Sequence, residues 1–312
     1  MLVYKDVERA VRLLAAIHRS HNVYCIHVDR KSPNIIRVIL AEAAQMLGDN
    51  VFVVPENASL TVIWGRMSTL DADIACSQVL LGQNNRWKYW INLTGQEFPL
   101  RTNWELVQAL KAMNGTNVAA GHTHYRYPER RPPEEMLDFK INWMKGSAHV
   151  ALRRDFVERM HTDHQARKLL EALRSWERVV KRPVIADEQY FCTLNNNPFM
   201  IPMPGAYLGG NRSVAKTPLI TRLKLWHKRD RFCPHGHMLR GICALGMSHF
   251  HLLVTSPHFF ANKFLPNVES RAYDLLEEWI QTKVEFERIQ NRTHPSFEKS
   301  YYNQLEMSWN HQ

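Results

Sequence analysis

The chain has 312 residues, 45% apolar and 22% charged, which is room for a substantial core in one large α/β domain or two smaller ones. Its 40 lysines and arginines against 30 acidic residues give a formal charge of +10, which suits an anionic ligand or surface partner as well as plain solubility. Nucleic acid is disfavoured because no Lys/Arg block is interleaved with aromatics, and no stretch approaches the roughly 20 apolar residues that span a bilayer.

Taken in order, MLVY reads as a fragment of apolar strand that runs straight into a helical pattern, Val7, Val11, Leu14 and Ile17. So abrupt an edge predicts a missing N-terminal segment, one that could carry a membrane anchor. YCIHV then reads as a strand, Asn34–Leu47 as a helix, NVFVV as a strand, Met67–Leu81 as a helix and WKYWINL as a strand. That alternation predicts a parallel sheet with helices on its faces. Asp29 falls at the end of its strand, where a binding loop begins, but the second carboxylate that a metal site wants two residues on is Lys31.

GQEFPLRTNWELVQAL reads as a turn into a helix, with Thr102 or Asn103 as N-cap. Periodicity is lost over 114–140, where GHTHYRYPERRPPEE mixes Pro, Arg, Glu and His with aromatics, a composition that suits a sugar-like substrate. One helix is predicted over about 153–176, weak signal over 195–230, and a charged amphipathic helix over 268–290. With no repeat and no convincing linker, residues 1–312 read as a single domain.

Several candidates for chemistry stand out. Asp71-Ala72-Asp73 matches a two-carboxylate pattern, yet on a helix i and i+2 diverge, so the pair reads as a solvated helix face. His227, His235, His237 and His249 read as a basic, partly exposed segment rather than a metal site. Asp187-Glu188, at the junction of a loop and an apolar run, reads either as a poised general base or as acidic residues at a helix start. Arg240 and Lys263 are, on composition alone, surface cations. Five cysteines without CxxC spacing fit two disulfides and one free thiol. Asn-x-Ser/Thr triplets begin at Asn57, Asn92, Asn114, Asn211 and Asn291, which tilts toward a secretory compartment, although Asn92 lies in an apparent strand.

The stretches VYKDVERAVRLLAAIHRSHNVYCIHVDRK, WGRMSTLDADIAC, WKYWINLTGQEFPLRTNWELV, GSAHV, ADEQYF, LRGIC and FFANKF, in this order and spacing, resemble the core-2/I-branching β-1,6-N-acetylglucosaminyltransferases. The resemblance spans residues 2 to about 265. It implies an α/β, GT-A-like glycosyltransferase fold, with a Rossmann-like, mostly parallel sheet flanked by helices. It also implies inverting transfer of GlcNAc from UDP-GlcNAc to an O-glycan acceptor, with no metal and no other cofactor.

By the same resemblance, Glu188 is the general base and Arg240 and Lys263 hold the UDP phosphates. Leu2, Val3, Tyr4, Asp29, Arg30, Lys31 and Trp64 contact the nucleotide, with Trp64 standing where the family has a tyrosine. Disulfides Cys25 to Cys76 and Cys233 to Cys243 follow from it, leaving Cys192 as a buried free thiol. The implied setting is a type II Golgi membrane glycoprotein with a lumenal catalytic domain and a signal-anchor in the missing N-terminus.

The loop 121–135 departs from the family, so Arg126, Glu129 and Arg130 are acceptor-site guesses only, and neither the acceptor nor the oligomeric state is legible. The alternatives are a peptide O-xylosyltransferase and a non-catalytic sugar-binding homologue.

Overall fold

A computed structural model describes residues 1–83, 86–123, 127–209, 218–226, 233–234 and 236–312. Strand β1 (Leu2–Val3) lies parallel to β2 (Tyr24–Val28), and β2 parallel to β3 (Val51–Val53). The register pairs Leu2 with His27 and Tyr24 with Val51. Helices α1 (Val7–Ile17) and α2 (Asn34–Leu47) make the crossovers. Ala10 and Leu14 of α1 and Ile36, Leu40 and Ala44 of α2 pack with Val3, Ile26, Val28 and Val51, which gives the parallel strands an apolar cover. The first strand is not frayed, because Leu2 donates its amide to Leu93 O (2.8 Å) and accepts from Gly95 N (3.1 Å).

Helix α3 (Met67–Leu81) is tied to β2 by the Cys25–Cys76 disulfide, Cα atoms 5.6 Å apart. The later strands are two or three residues each: β4 (Tyr89–Ile91), β5 (Glu97–Pro99), β6 (Gly121–His122), β7 (Lys145–Gly146), β8 (Ala151–Arg153), β9 (Arg222–Leu223), β10 (Met238–Leu239), β11 (Ile242–Cys243) and β12 (Phe260–Asn262). Of these, β12 pairs parallel with β9, whereas β4 with β8, β5 with β12, β6 with β7 and β10 with β11 run antiparallel. The α/β class therefore stands, but the predicted mostly parallel sheet gives way to several small sheets in which parallel pairing is the minority. Alternation of long segments announces βαβ units; strands this short carry no period-2 signal and so give no warning of antiparallel partners.

Thr102 is the N-cap of α4 (Asn103–Ala112): its hydroxyl accepts from Glu105 N and its amide donates to Glu105 Oε2, a reciprocal capping box. The single helix predicted over 153–176 is two, α5 (Arg154–Thr162) and α6 (His164–Val180). Asp163 divides them because its carboxylate accepts Ala166 N at 3.0 Å, capping the second helix and ending the first. Helix α7 (Tyr190–Asn195) is buried along its whole length among residues of α3, α5 and α6.

The helix predicted over 268–290 is Arg271–Gln290, and its charges are not all solvated. Buried Lys283 donates to Glu105 Oε2 at 2.5 Å, and Glu287 accepts Thr102 Oγ1 at 2.8 Å, fastening this helix to the start of α4.

Asp71 and Asp73 diverge as helical geometry requires, but only Asp71 faces outward, paired with Arg174. Asp73 is buried and accepts Asn92 Nδ2 at 2.9 Å, which corrects its reading as part of a solvated face. Asn92 itself is buried, whereas Asn57, Asn114 and Asn291 are exposed. His249 is buried with Nδ1 accepting Gly246 N; His227, His235, Arg126 and Asn211 lie outside the described residues. Among the described residues no helix is long and apolar enough to cross a membrane.

Candidate active site

The site is built on the segment that leads into α7. Ala186–Glu188 forms one 3₁₀ turn, entered through Ile185 in the left-handed region (φ 55°, ψ 55°). A β-branched residue resists that conformation, so the turn is held there by its surroundings. Ile185 N donates to Gly65 O at 2.8 Å, Gln189 Nε2 donates to Val184 O, and Ala186, Tyr190, Phe191 and Leu194 are packed in the core. Glu188 thus projects from a rigid platform with its side chain 30% exposed, reachable by a substrate while its backbone is fixed.

Against this platform lies the ribbon β6–β7, where His122 pairs with Lys145 and Gly121 with Gly146. The ribbon approaches α7 so closely that a Cβ on Gly146 would stand 2.9 Å from Cys192 Cβ and 1.9 Å from Ala120 O. Only glycine fits, and the approach brings Lys145 to Glu188, whose Oε2 accepts a hydrogen bond from Lys145 Nζ. Beneath them Asp187 is buried with Oδ1 unpartnered; burial first, then the Glu188 and Asp73 charges, push its pKa up to about 7. Burial raises the Cys192 thiol to about 12, so it stays neutral and inert.

The loop carrying Trp64 docks on the same platform. Gly65 sits at φ 73° with Pro183 Cβ 3.1 Å from where its own Cβ would be, so both conformation and space demand glycine. The Glu177 carboxylate of α6 accepts Met67 N, and Arg66 Nη2 donates to Lys181 O at 3.0 Å. Trp64 is left 55% exposed, and the Arg240 guanidinium carbon lies 4.5 Å over its ring. Arg240 and Gly241 (φ 55° and 78°) form the two-residue turn of the β10–β11 hairpin, both left-handed as a type I′ turn requires. The Cys233–Cys243 disulfide closes the base of this hairpin.

Lys263 follows β12 and Lys224 follows β9, and the pairing of those strands, Ala261 with Leu223, brings the two lysines within electrostatic reach. Burial lowers the Lys263 ammonium, with Arg240 and Lys5 adding to the effect and Glu97 opposing it. Lys224 is brought down to about 8, chiefly by burial and then by Arg222 and Lys263, against Glu97 and Glu188. Burial and the neighbouring Lys224, Arg222 and Lys263 charges push His149 well below its ordinary value, so it is neutral at pH 7.

Within this group Glu97 is already engaged. It accepts Arg222 Nε at 2.6 Å and Thr94 Oγ1 at 2.9 Å, both partners of the Arg222 pair being fully buried. The remaining cations therefore exceed their carboxylates, an arrangement that favours an anion.

The other residues named from sequence gather at the C-terminal ends of β1 and β2. Asp29 N donates to Val3 O, and Ser32 Oγ to Tyr4 O, both at 2.9 Å. The Asp29 carboxylate accepts Lys31 Nζ, and Lys31 Nζ also reaches Val62 O in the loop ahead of Trp64. Arg30 Nη2 donates to Asn57 O. Leu2 and Val3 are in the sheet, and Tyr4 is exposed.

Thus Trp64 meets Arg240, and Arg240 acts electrostatically on Lys263, as Lys224 does on both Lys263 and Glu188. Glu129 and Arg130 are held elsewhere, by Trp176 Nε1 on Glu129 O and by Arg130 on the Tyr127 ring. A cavity of about 700 Å³ between α1, α4, β2 and β4 is lined by none of Glu188, Trp64, Arg240 or Lys263. Sequence reasoning missed Lys145 and Lys224. Alternation in Arg222-Leu223-Lys224-Leu225 was a signal for the second; nothing local marks the first.

A half-exposed carboxylate on a fixed turn beside an excess of cations suits acid–base chemistry on an anionic substrate. The chain belongs to the Core-2/I-Branching enzyme family, whose model matches residues 1–254. It is 33% identical over 324 residues to the N-acetyllactosaminide beta-1,6-N-acetylglucosaminyl-transferase of Homo sapiens, an alignment covering 96% of this chain and 74% of that protein. It is 31% identical over 311 residues to the beta-1,3-galactosyl-O-glycosyl-glycoprotein beta-1,6-N-acetylglucosaminyltransferase 4 of Mus musculus, covering 91% of this chain and 64% of that protein. Against enzyme 3 of the latter type from Rattus norvegicus the identity is 29%, with 91% and 68% covered.

Proposed function

We propose that this chain is an inverting β-1,6-N-acetylglucosaminyltransferase that moves GlcNAc from UDP-GlcNAc to a hydroxyl of a mucin-type O-glycan. One catalytic unit with a GT-A-like arrangement, lying in the Golgi lumen and anchored through an N-terminal segment, is part of the reading; the two disulfides suit an oxidising compartment. The observation that carries it is Glu188, fixed on its turn and 30% exposed, within electrostatic reach of Lys224, which in turn acts with Lys263, as Lys263 does with Arg240.

In this mechanism Glu188 accepts the proton of the acceptor hydroxyl as that oxygen bonds to the anomeric carbon. The bond from that carbon to UDP breaks on the opposite face, and its electron pair goes to the diphosphate. Arg240 and Lys263 face the charge that develops there, the work a metal ion does in other transferases. Leu2 to Tyr4, Asp29 to Lys31 and Trp64 form the nucleotide side, grouped by the hydrogen bonds among the β1 and β2 ends and the loop before Trp64. Asp187 is the less suitable base, because it is buried where an acceptor cannot reach it.

The alignment with the N-acetyllactosaminide enzyme supports a second reading of the acceptor, a lactosamine chain. A peptide O-xylosyltransferase is set aside, since the relatives above are N-acetylglucosaminyltransferases by name. Transfer from UDP-GlcNAc to core-1, core-3 and lactosamine acceptors, measured for the wild type and Glu188→Gln, tests the proposal. We expect the variant to lose transfer and keep UDP binding; undiminished transfer removes Glu188 as the base, and turnover only with UDP-xylose and peptide removes the function.

A further inference from the structure

The assignment of Glu188 leaves unexplained why a base should be ion-paired before any substrate arrives. Lys145 Nζ donates to Glu188 Oε2 and lies 3.3 Å from Gly146 O, so the ammonium is held between one carboxylate oxygen and its own ribbon's backbone. Glu188 makes no other side-chain hydrogen bond among the described residues, which leaves Oε1 open. The ribbon cannot drift, because Gly121 and Gly146 are seated against Cys192.

The groups facing Glu188 are Asp187 on its own turn, the neutral Cys192 thiol on α7, Lys224 after β9 and Lys145 on β7. Asp187 opposes a second negative charge at this spot, and among these groups Lys145 is the one that touches the carboxylate.

Resting on the reading of Glu188 as general base, we propose that Lys145 is its positioning residue. It engages Oε2 so that Oε1 is presented to the acceptor hydroxyl. When the proton arrives on Oε1 the ion pair weakens, and deprotonation after product release restores it. Misplacement of a catalytic group by about 1 Å costs about 100-fold.

The test compares wild type, Lys145→Met, Lys145→Arg and Glu188→Gln by transfer kinetics, UDP binding and melting temperature. For Lys145→Met we expect kcat to fall about 10- to 100-fold while KM for UDP-GlcNAc stays within about twofold. Lys145→Arg should restore most of kcat, and ethylamine should restore part of the activity of Lys145→Met. An unchanged kcat in Lys145→Met, or activity lost only in proportion to folded protein, overturns the proposal. Should Lys145→Met fold poorly, the uncharged Lys145→Gln carries the same test. If Glu188→Gln remains active the base assignment itself fails; if it is inactive while Lys145→Met has the wild-type kcat, only the role of Lys145 fails.

Discussion

Arg240 stacks on Trp64, its guanidinium carbon 4.5 Å from the ring centroid, although sequence reasoning gave the two separate tasks on phosphate and base. On the proposed reading of Trp64 as the uracil platform, this contact puts a cation on one face of the ring and leaves the base the other. Stacking of a base on an aromatic side chain is worth about 1 to 3 kcal/mol, or about 5- to 150-fold in affinity. We expect Trp64→Ala to weaken UDP binding by that range, and Trp64→Ala with Arg240→Ala to cost less than the sum of the two. Calorimetric UDP titrations of the four proteins give the coupling; strict additivity would mean the stacking has no bearing on the nucleotide.

The two disulfides should separate in their effects. Cys25 and Cys76 are both buried and join β2 to α3 across 51 residues, a closure worth about 4 kcal/mol in chain entropy. Cys25→Ser with Cys76→Ser should therefore lower the melting temperature sharply. Cys233 and Cys243 close only the hairpin that presents Arg240. Replacing both with serine should raise KM for UDP-GlcNAc while moving the melting temperature much less.

Asp187 makes stability fall with rising pH. Its pKa is about 7 in the folded chain against an ordinary aspartate value of 3.8, so the native state binds the proton more tightly than the unfolded one. The stabilisation is complete below about 4 and lost as pH rises through about 7. Asp187→Asn should flatten urea-measured stability over that window and gain on the wild type at pH 8. A parallel pH dependence in both proteins would count against the buried, unpartnered carboxylate.

On the proposed mechanism Lys224, Arg240 and Lys263, which act on one another electrostatically, face the leaving diphosphate without a metal ion. We expect transfer to persist in excess EDTA, with added manganese raising the rate less than twofold, and Lys263→Met to reduce kcat by about 100-fold. Activity that requires manganese would overturn the metal-free mechanism.

Much of this was legible in the residues. Helices α2 and α3 fall where periodicity puts them, and of the two N-cap candidates, Thr102 and Asn103, Thr102 is the cap, through its exchange with Glu105. Trp64, Arg240 and Lys263 came only through the resemblance, since nothing in WGRM, LRGIC or FFANKF taken singly sets them apart from surface residues. Asp163 hid a helix break because an acidic residue inside a charged, amphipathic run looks like one more solvated position. Lys145 was illegible for a deeper reason: its contact with Glu188 depends on Gly146 fitting against Cys192, between segments that share no pattern.

The hydrogen bond from Ile185 N to Gly65 O has a mechanical reading. It splices the loop bearing Trp64 to the turn bearing Glu188, with Gly65 pressed against Pro183 behind it. The loop that carries Trp64 and the turn that carries Glu188 are thus riveted into one piece, so neither can be displaced without breaking that hydrogen bond.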